Sequence, residues 1–379
     1  MMKPIGENND ISVRQFTILV FLYSVGTAIL VIPSGLAEEV KQDAWIAALI
    51  SIGIGLLLVK LYLAVGQLHA GYTLIQLNEK LLGKWVGRAA SIGFVIFTLI
   101  TAAELLYYMG SFMTTQILPS TPMEATNIIF AIIVIMGVRL GLEVLSRSAE
   151  ILFACFLFLM FILLFCAAPD IKVHYIQPVL ETGMKPLMRA TLLFTCIFSL
   201  PAVVFLMIYP SSTNDTRKAA KGFYIGVILA GTVLTLIIAC TILVLGAETT
   251  ARQLYPSYTL AKRIMLGSFI QHVEVVVAIM WFITIYFKMS LYFYAACLGL
   301  SQTFRLANYR TVVIPLGILM VVLSLIVHPN TVHYINYNKT TWIPFVATFG
   351  LVLPITLLCA SAFRQQRSQS AANHPQEGE

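Results

Sequence analysis

Two charged residues stand where charge is costly. Glu104 lies mid-way along one long apolar stretch and Lys288 mid-way along another. Placing such a group at the centre of a membrane helix costs about 2.5–3.5 kcal/mol, so one kept there faces a cavity or a partner and marks a ligand or ion path. Their neighbours repeat at helical spacing. Thr101, Glu104, Tyr108, Ser111 and Thr115 make one polar stripe; Thr284, Lys288 and Tyr292 make another, with Trp281 at a neighbouring angle. Hydroxyls and aromatic rings around a single charge offer hydrogen bonds where water is scarce, which is what a binding wall for a small polar ligand needs. The competing reading is structural: a buried Glu–Lys pair, or two charges that cap backbone groups in a packed core. Lys288 has a sharper role open to it, as a fixed or proton-responsive cation in the place of a coupling ion.

Little else in the chain could do chemistry. Lys60, Glu143 and Glu274 lie within a turn or two of a span end and can extend to the interface. The 6 histidines sit in loops or near span ends, with no His-x-x-x-His pair, no Gly-x-Ser-x-Gly elbow and no phosphate-binding glycine loop. No metal, no cofactor and no enzymatic activity are expected. The 6 cysteines lie inside apolar spans without motif spacing and read as small core residues, not disulfides.

The elements that position the two charges follow from composition. Apolar residues make up 59% of 379 and charged residues 11%, which excludes disorder and a soluble domain. Apolar windows of about 20 residues predict an all-α membrane protein of ten spans, near 13–36, 44–66, 89–117, 126–142, 146–168, 187–209, 220–246, 272–302, 311–328 and 341–363. Residues 1–10 and 364–379 read as polar tails, the latter disordered, around a transporter-like domain over 11–363. With the N-terminus in the cytoplasm, 14 of the 24 Lys and Arg fall inside and 8 outside, so both termini are expected to be cytoplasmic. The net charge of +7 sits mostly in those inner loops, beside anionic lipid, and needs no nucleic-acid partner.

Ten spans divide into five plus five, 11–168 and 187–363, and an odd number per half inverts the second half relative to the first. Each half opens with an interrupted span. In the first, Ser24-Val25-Gly26-Thr27-Ala28 breaks FTILVFLYSVGTAILVIPSGL and Pro33 follows; in the second, Ser199-Leu200-Pro201 breaks LLFTCIFSLPAVVFLMIYP. A break at membrane depth frees backbone groups that lipid cannot satisfy, and paired breaks point to a midplane binding site. Gly26, Thr27, Ala28, Ser199, Leu200 and Pro201 are therefore candidate ligand contacts, with Thr101, Glu104, Tyr108 and Thr284 beside them. The stretch 257–267 reads as a short amphipathic helix on the outer face, either a surface helix or a lid. On the cytoplasmic side, Glu143 is spaced i,i+4 with both Arg139 and Arg147, either an exposed ion-pair ladder or a docking surface for a cytoplasmic partner.

Four segments together carry a resemblance: YSVGTAILVIPSGL, GVRLGLEVLSRSAEI, FSLPAVVFLMIYP and MWFITIYFKMSLYFYAACLGLSQTF. Their order and spacing, over about residues 11–363, resemble the B subunits of spore germination receptors, a family similar to the amino acid–polyamine–organocation transporters. The resemblance implies a leucine-transporter-type inverted repeat in the inner membrane of a spore. It also implies a small nutrient ligand, most often an amino acid, and two partners: an A subunit and a C-subunit lipoprotein. The chain departs from the family pattern at Ala202-Val203, where many members carry Gly-Glu, which leaves Glu104 as the available intramembrane carboxylate.

Overall fold

A computed structural model describes residues 11–69, 71–264 and 272–372. The chain folds into helices: α1 (Val13–Val25), α2 (Ala28–Val40), α3 (Ala44–Gln67), α4 (Leu74–Leu82), α5 (Lys84–Phe112) and α6 (Met123–Leu140) come first. Then follow α7 (Leu142–Ala167), α8 (Met184–Phe198), α9 (Thr216–Leu245), α10 (Ala247–Arg252) and α11 (Pro256–Arg263). The last are α12 (Glu274–Thr303), α13 (Arg310–Ile326), α14 (Thr331–Thr340), α15 (Trp342–Ala347) and α16 (Leu353–Ala372). Among the described residues the one extended pairing is an isolated bridge between Ile11 and Thr213. Eight helical stretches there are long and apolar enough to cross a membrane, with α1 and α13 as shorter apolar helices. The protein is an integral membrane protein, as its composition requires.

Local chemistry sets the helix ends. Ser12 caps α1 by accepting from the Gln15 N–H (3.2 Å), while the Gln15 side chain accepts from the Ser12 N–H (2.9 Å). Asp215 accepts from the Lys218 N–H at the start of α9, which holds its carboxyl below the usual range. α1 stops at Gly26, whose φ of +33° is left-handed and favours glycine. α8 stops at Ser199, and a 3-10 segment, Leu200–Met207, carries the chain past Pro201.

α5 and α12 pack against each other along much of their length, α1 packs along α9, and α3 packs on α8 and α9. The glycines of α9 permit that approach, since a Cβ on Gly226 would sit 2.7 Å from Val20 and one on Gly231 2.5 Å from Ile52. Many apolar side chains of α6, α7 and α13 are exposed, as lipid contact demands.

Several expectations change here. The outer segment is not an interfacial helix: α11 ends at Arg263, and its Pro256, Ser257, Tyr258, Leu260 and Ala261 are buried against α2 and α12. The alternation of apolar and basic residues reflects one face packed on protein, not on headgroups. Residues 265–267 of that stretch lie outside the described residues, as do 1–10 and 373–379. α16 runs on to Ala372, past the expected end of the last span at 363. The polar stripe of α5 does not hold together to its end. Thr115 is exposed, at a π turn over Met113–Ile117 that widens the helix. Cys155 and Cys359 are exposed instead of core, and none of the 6 cysteines is paired.

Candidate functional site

The second break leaves carbonyl groups behind, and other helices take them up. In an α-helix the N–H of residue 201 would bond the carbonyl of residue 197, but Pro201 has no N–H. The Ile197 carbonyl instead accepts from Lys288 Nζ at 3.2 Å. The Cys196 carbonyl accepts from Trp342 Nε1 (3.2 Å) and the Pro201 carbonyl from the Tyr23 hydroxyl (2.7 Å). The Tyr62 hydroxyl stands between the carbonyls of Leu200 (3.0 Å) and Gly350 (2.8 Å).

The first break is treated in the same way. Pro33 removes the partner of the Ile29 carbonyl, and Ser257 Oγ donates to it at 2.6 Å. Thr284 Oγ1 shares its proton between the carbonyls of Gly26 (2.9 Å) and Trp281 (3.1 Å). The stem of Lys288 covers Gly26 so closely that a Cβ there would lie 2.3 Å from Lys288 Cδ. The ammonium lies 5.5 Å from the centre of the Tyr23 ring.

Beside these breaks is a cavity of about 530 Å³. Thr27, just before α2, and Val31, Ile32 and Glu38 of α2 line one side, and Thr101, Glu104, Leu105 and Tyr108 of α5 another. Lys288 and Tyr292 of α12 line its depth with Leu193 and Ile197 of α8. Tyr334, Asn338 and Lys339 of α14, Trp342, and residues 251–254 at the end of α10 close the remaining side.

Glu104 is 2% exposed and Lys288 3%. They are not a buried ion pair: no salt bridge within 4.0 Å joins either to any described residue. Glu104 Oε1 has no hydrogen-bond partner among the described residues, while the Tyr337 hydroxyl interacts with the carboxyl. The other charges on the wall are matched. Glu38 pairs with Lys339 (2.7 Å) and Arg252 with Glu248 (2.5 Å).

Of the residues singled out in the sequence, Thr27, Thr101, Glu104, Tyr108, Lys288 and Tyr292 line this one cavity. Gly26, Ala28, Ser199, Leu200, Pro201 and Thr284 are not among its lining residues. The carbonyls freed by the breaks are occupied by side-chain donors, and Gly26 is covered by the Lys288 stem. Thr101 Oγ1 donates to the Phe97 carbonyl at 2.8 Å. Sequence reasoning missed α14 altogether. Its signal was the density of aromatic and amide residues in HYINYNK, between two apolar spans.

α14 is held by a packed cluster of rings. Tyr108 donates to Asn338 Oδ1 at 3.2 Å, and the rings of Tyr107, Tyr108, Tyr334 and Tyr337 surround His328. His328 Nδ1 lies 3.2 Å from His333 Nδ1, so one imidazole donates and the other accepts.

Known structures place this arrangement on a transporter fold. The chain superposes on Mhp1, a nucleobase-cation-symport-1 family transporter in a closed conformation with bromovinylhydantoin bound, with a TM-score of 0.66, 12% identity, and 93% and 82% of the two chains covered. It superposes on MhsT in complex with L-phenylalanine with a TM-score of 0.59, 15% identity, and 94% and 99% covered. Among curated sequences it is 27% identical to spore germination protein KB of Bacillus subtilis (strain 168) over 371 residues, covering 96% of this chain and 98% of that one. It is 22% identical to spore germination protein YndE of the same organism over 363 residues, covering 94% and 98%. The profile of the spore permease family, described as spore germination protein, matches residues 10–332, and the chain belongs to that family.

Proposed function

We propose that this protein is the nutrient-recognition subunit of a spore germination receptor, with the nutrient bound in the cavity between α2, α5, α12 and α14. The observation that carries the reading is Glu104: a buried carboxyl with an unpartnered oxygen on the wall of a cavity large enough for a small metabolite. A polar group left so is costly unless something completes it, and a ligand ammonium would do so. The freed carbonyls at the breaks have protein donors already, which favours Glu104 over them as the ammonium site.

In this reading the chain crosses the inner membrane of the spore ten times in two inverted halves, both termini cytoplasmic. α1 with α2, and α8 with its 3-10 continuation, are the interrupted spans. Binding favours one arrangement of the bundle through differential affinity alone, and an A subunit and a C-subunit lipoprotein receive that change. A working permease for amino acids or amines is the second reading, favoured by the transporter fold.

Germination of null and complemented spores across amino acids, sugars and nucleosides tests the first reading. One nutrient response is expected to vanish with the gene and to weaken in the Glu104→Gln variant. Uptake of that labelled nutrient by vesicles holding this chain alone separates the two readings: accumulation above empty vesicles favours the permease.

A further inference from the structure

We propose that the ligand is a zwitterion read at both ends, its ammonium by Glu104 and its carboxylate by Lys288. This rests on the nutrient-binding reading above and assigns Lys288 to the ligand, where the sequence pointed to an ion-coupling or purely fixed charge.

Glu104 and Lys288 line the same cavity from adjoining helices, α5 and α12. Both are buried, and neither has a counter-charge within 4.0 Å among the described residues. The acceptor recorded for Lys288 Nζ is a neutral carbonyl, Ile197, which uses one of three ammonium protons. Desolvated charges left without partners are expensive. Every other charged group on the wall whose sign could compete, Glu38, Arg252 and Lys339, has an opposite charge beside it. The cavity thus presents one available negative group and one available positive group, too far apart to neutralise each other. A zwitterion supplies both missing counter-charges at once; a neutral sugar or nucleoside supplies neither.

The start of α2 reinforces the carboxylate end. The Lys288 ammonium lies 3.2 Å from where a Gly26 Cβ would stand, so an anion bound to it also lies near the positive end of α2. The aliphatic walls at Val31, Ile32, Leu105 and Leu193 leave the ligand's side chain an apolar place.

The test uses the full-length protein in detergent and reads binding by thermal shift and calorimetry against the standard L-amino acids, then against glucose and inosine. The strongest-binding amino acid is compared with its primary amide and its α-hydroxy acid. In the unaltered protein each analogue is expected to bind at least about tenfold more weakly, since each leaves a buried charge without its partner. Glu104→Gln should erase the preference for the amino acid over the hydroxy acid. Lys288→Gln, whose amide can still donate to Ile197, should erase the preference over the amide. Equal binding of the amino acid and either analogue overturns the proposal, and this comparison needs no variant to fold. Binding of glucose or inosine in place of every amino acid also overturns it, while leaving the nutrient-binding reading intact. Binding of none of these takes down both.

Discussion

Lys288 does three things at one point. It covers Gly26, donates to the carbonyl that Pro201 leaves free, and forms part of the cavity wall. The capping role can be isolated by a double-mutant cycle. Pro201→Ala restores a backbone N–H for Ile197, so Lys288→Met should cost less in the Pro201→Ala background than in the native one, by about 1 kcal/mol. Chemical unfolding in detergent measures it, and strictly additive effects would remove the cap from the account. Gly26 tolerates nothing larger. Its positive φ and the Lys288 stem meet in one place, so Gly26→Ala should both destabilise the protein, by about 1–3 kcal/mol, and displace the ammonium from Ile197. A melting temperature and ligand affinity both equal to the native values would contradict this. The sequence pointed to both residues, but it set Gly26 facing the ligand. Which side of a break is covered depends on side chains arriving from α11, α12 and α15, and no spacing within the break records that.

At the scale of elements, α14 is the part of the site that no periodicity announced. It is too short and too polar to read as a span, and only its packing on α5 brings it to the cavity. Its seat should weaken in acid. Burial and the neighbouring His333 imidazole push His328, in the loop after α13, down to about 4 from an ordinary 6.5. The folded protein therefore favours the neutral ring. That contribution to stability is complete above the unfolded value and is lost as pH falls from there towards the folded one. The groups facing it are Tyr107 and Tyr108 of α5 and Tyr334, Tyr337 and His333 of α14. Hydrogen exchange corrected for intrinsic rate should show α14 losing protection between about pH 6.5 and 4. His328→Phe should flatten that dependence; a slope unchanged by the substitution would assign it elsewhere. The ion pair of Glu38 and Lys339 that ties α14 to α2 is half exposed and is expected to contribute little, about 0–1 kcal/mol.

For the whole molecule, hydropathy and the two interruptions carried most of the architecture, because membrane helices must satisfy their own backbone and so declare themselves locally. The all-helical class, the long apolar stretches and the transporter fold follow from that constraint. The closure of the cavity does not, since the end of α10 and α14 reach its wall by tertiary packing. The sidedness makes a prediction of its own. Single cysteines placed at His174 and at Lys218 should react with an impermeant maleimide from opposite faces, His174 from outside and Lys218 from inside. Labelling of both from one face would break the five-plus-five arrangement.

The prolines carry a last consequence, for descent. Pro33 and Pro201 each leave a carbonyl that a side chain far along the chain makes good, Ser257 in one case and Lys288 in the other. A lineage that keeps the proline cannot lose the donor without leaving that carbonyl unpaired. Among relatives, Pro33 should be inherited together with a hydroxyl donor at the position of Ser257, and Pro201 together with a donor at that of Lys288. Lineages that lost Pro33 would be free to drift at the position of Ser257.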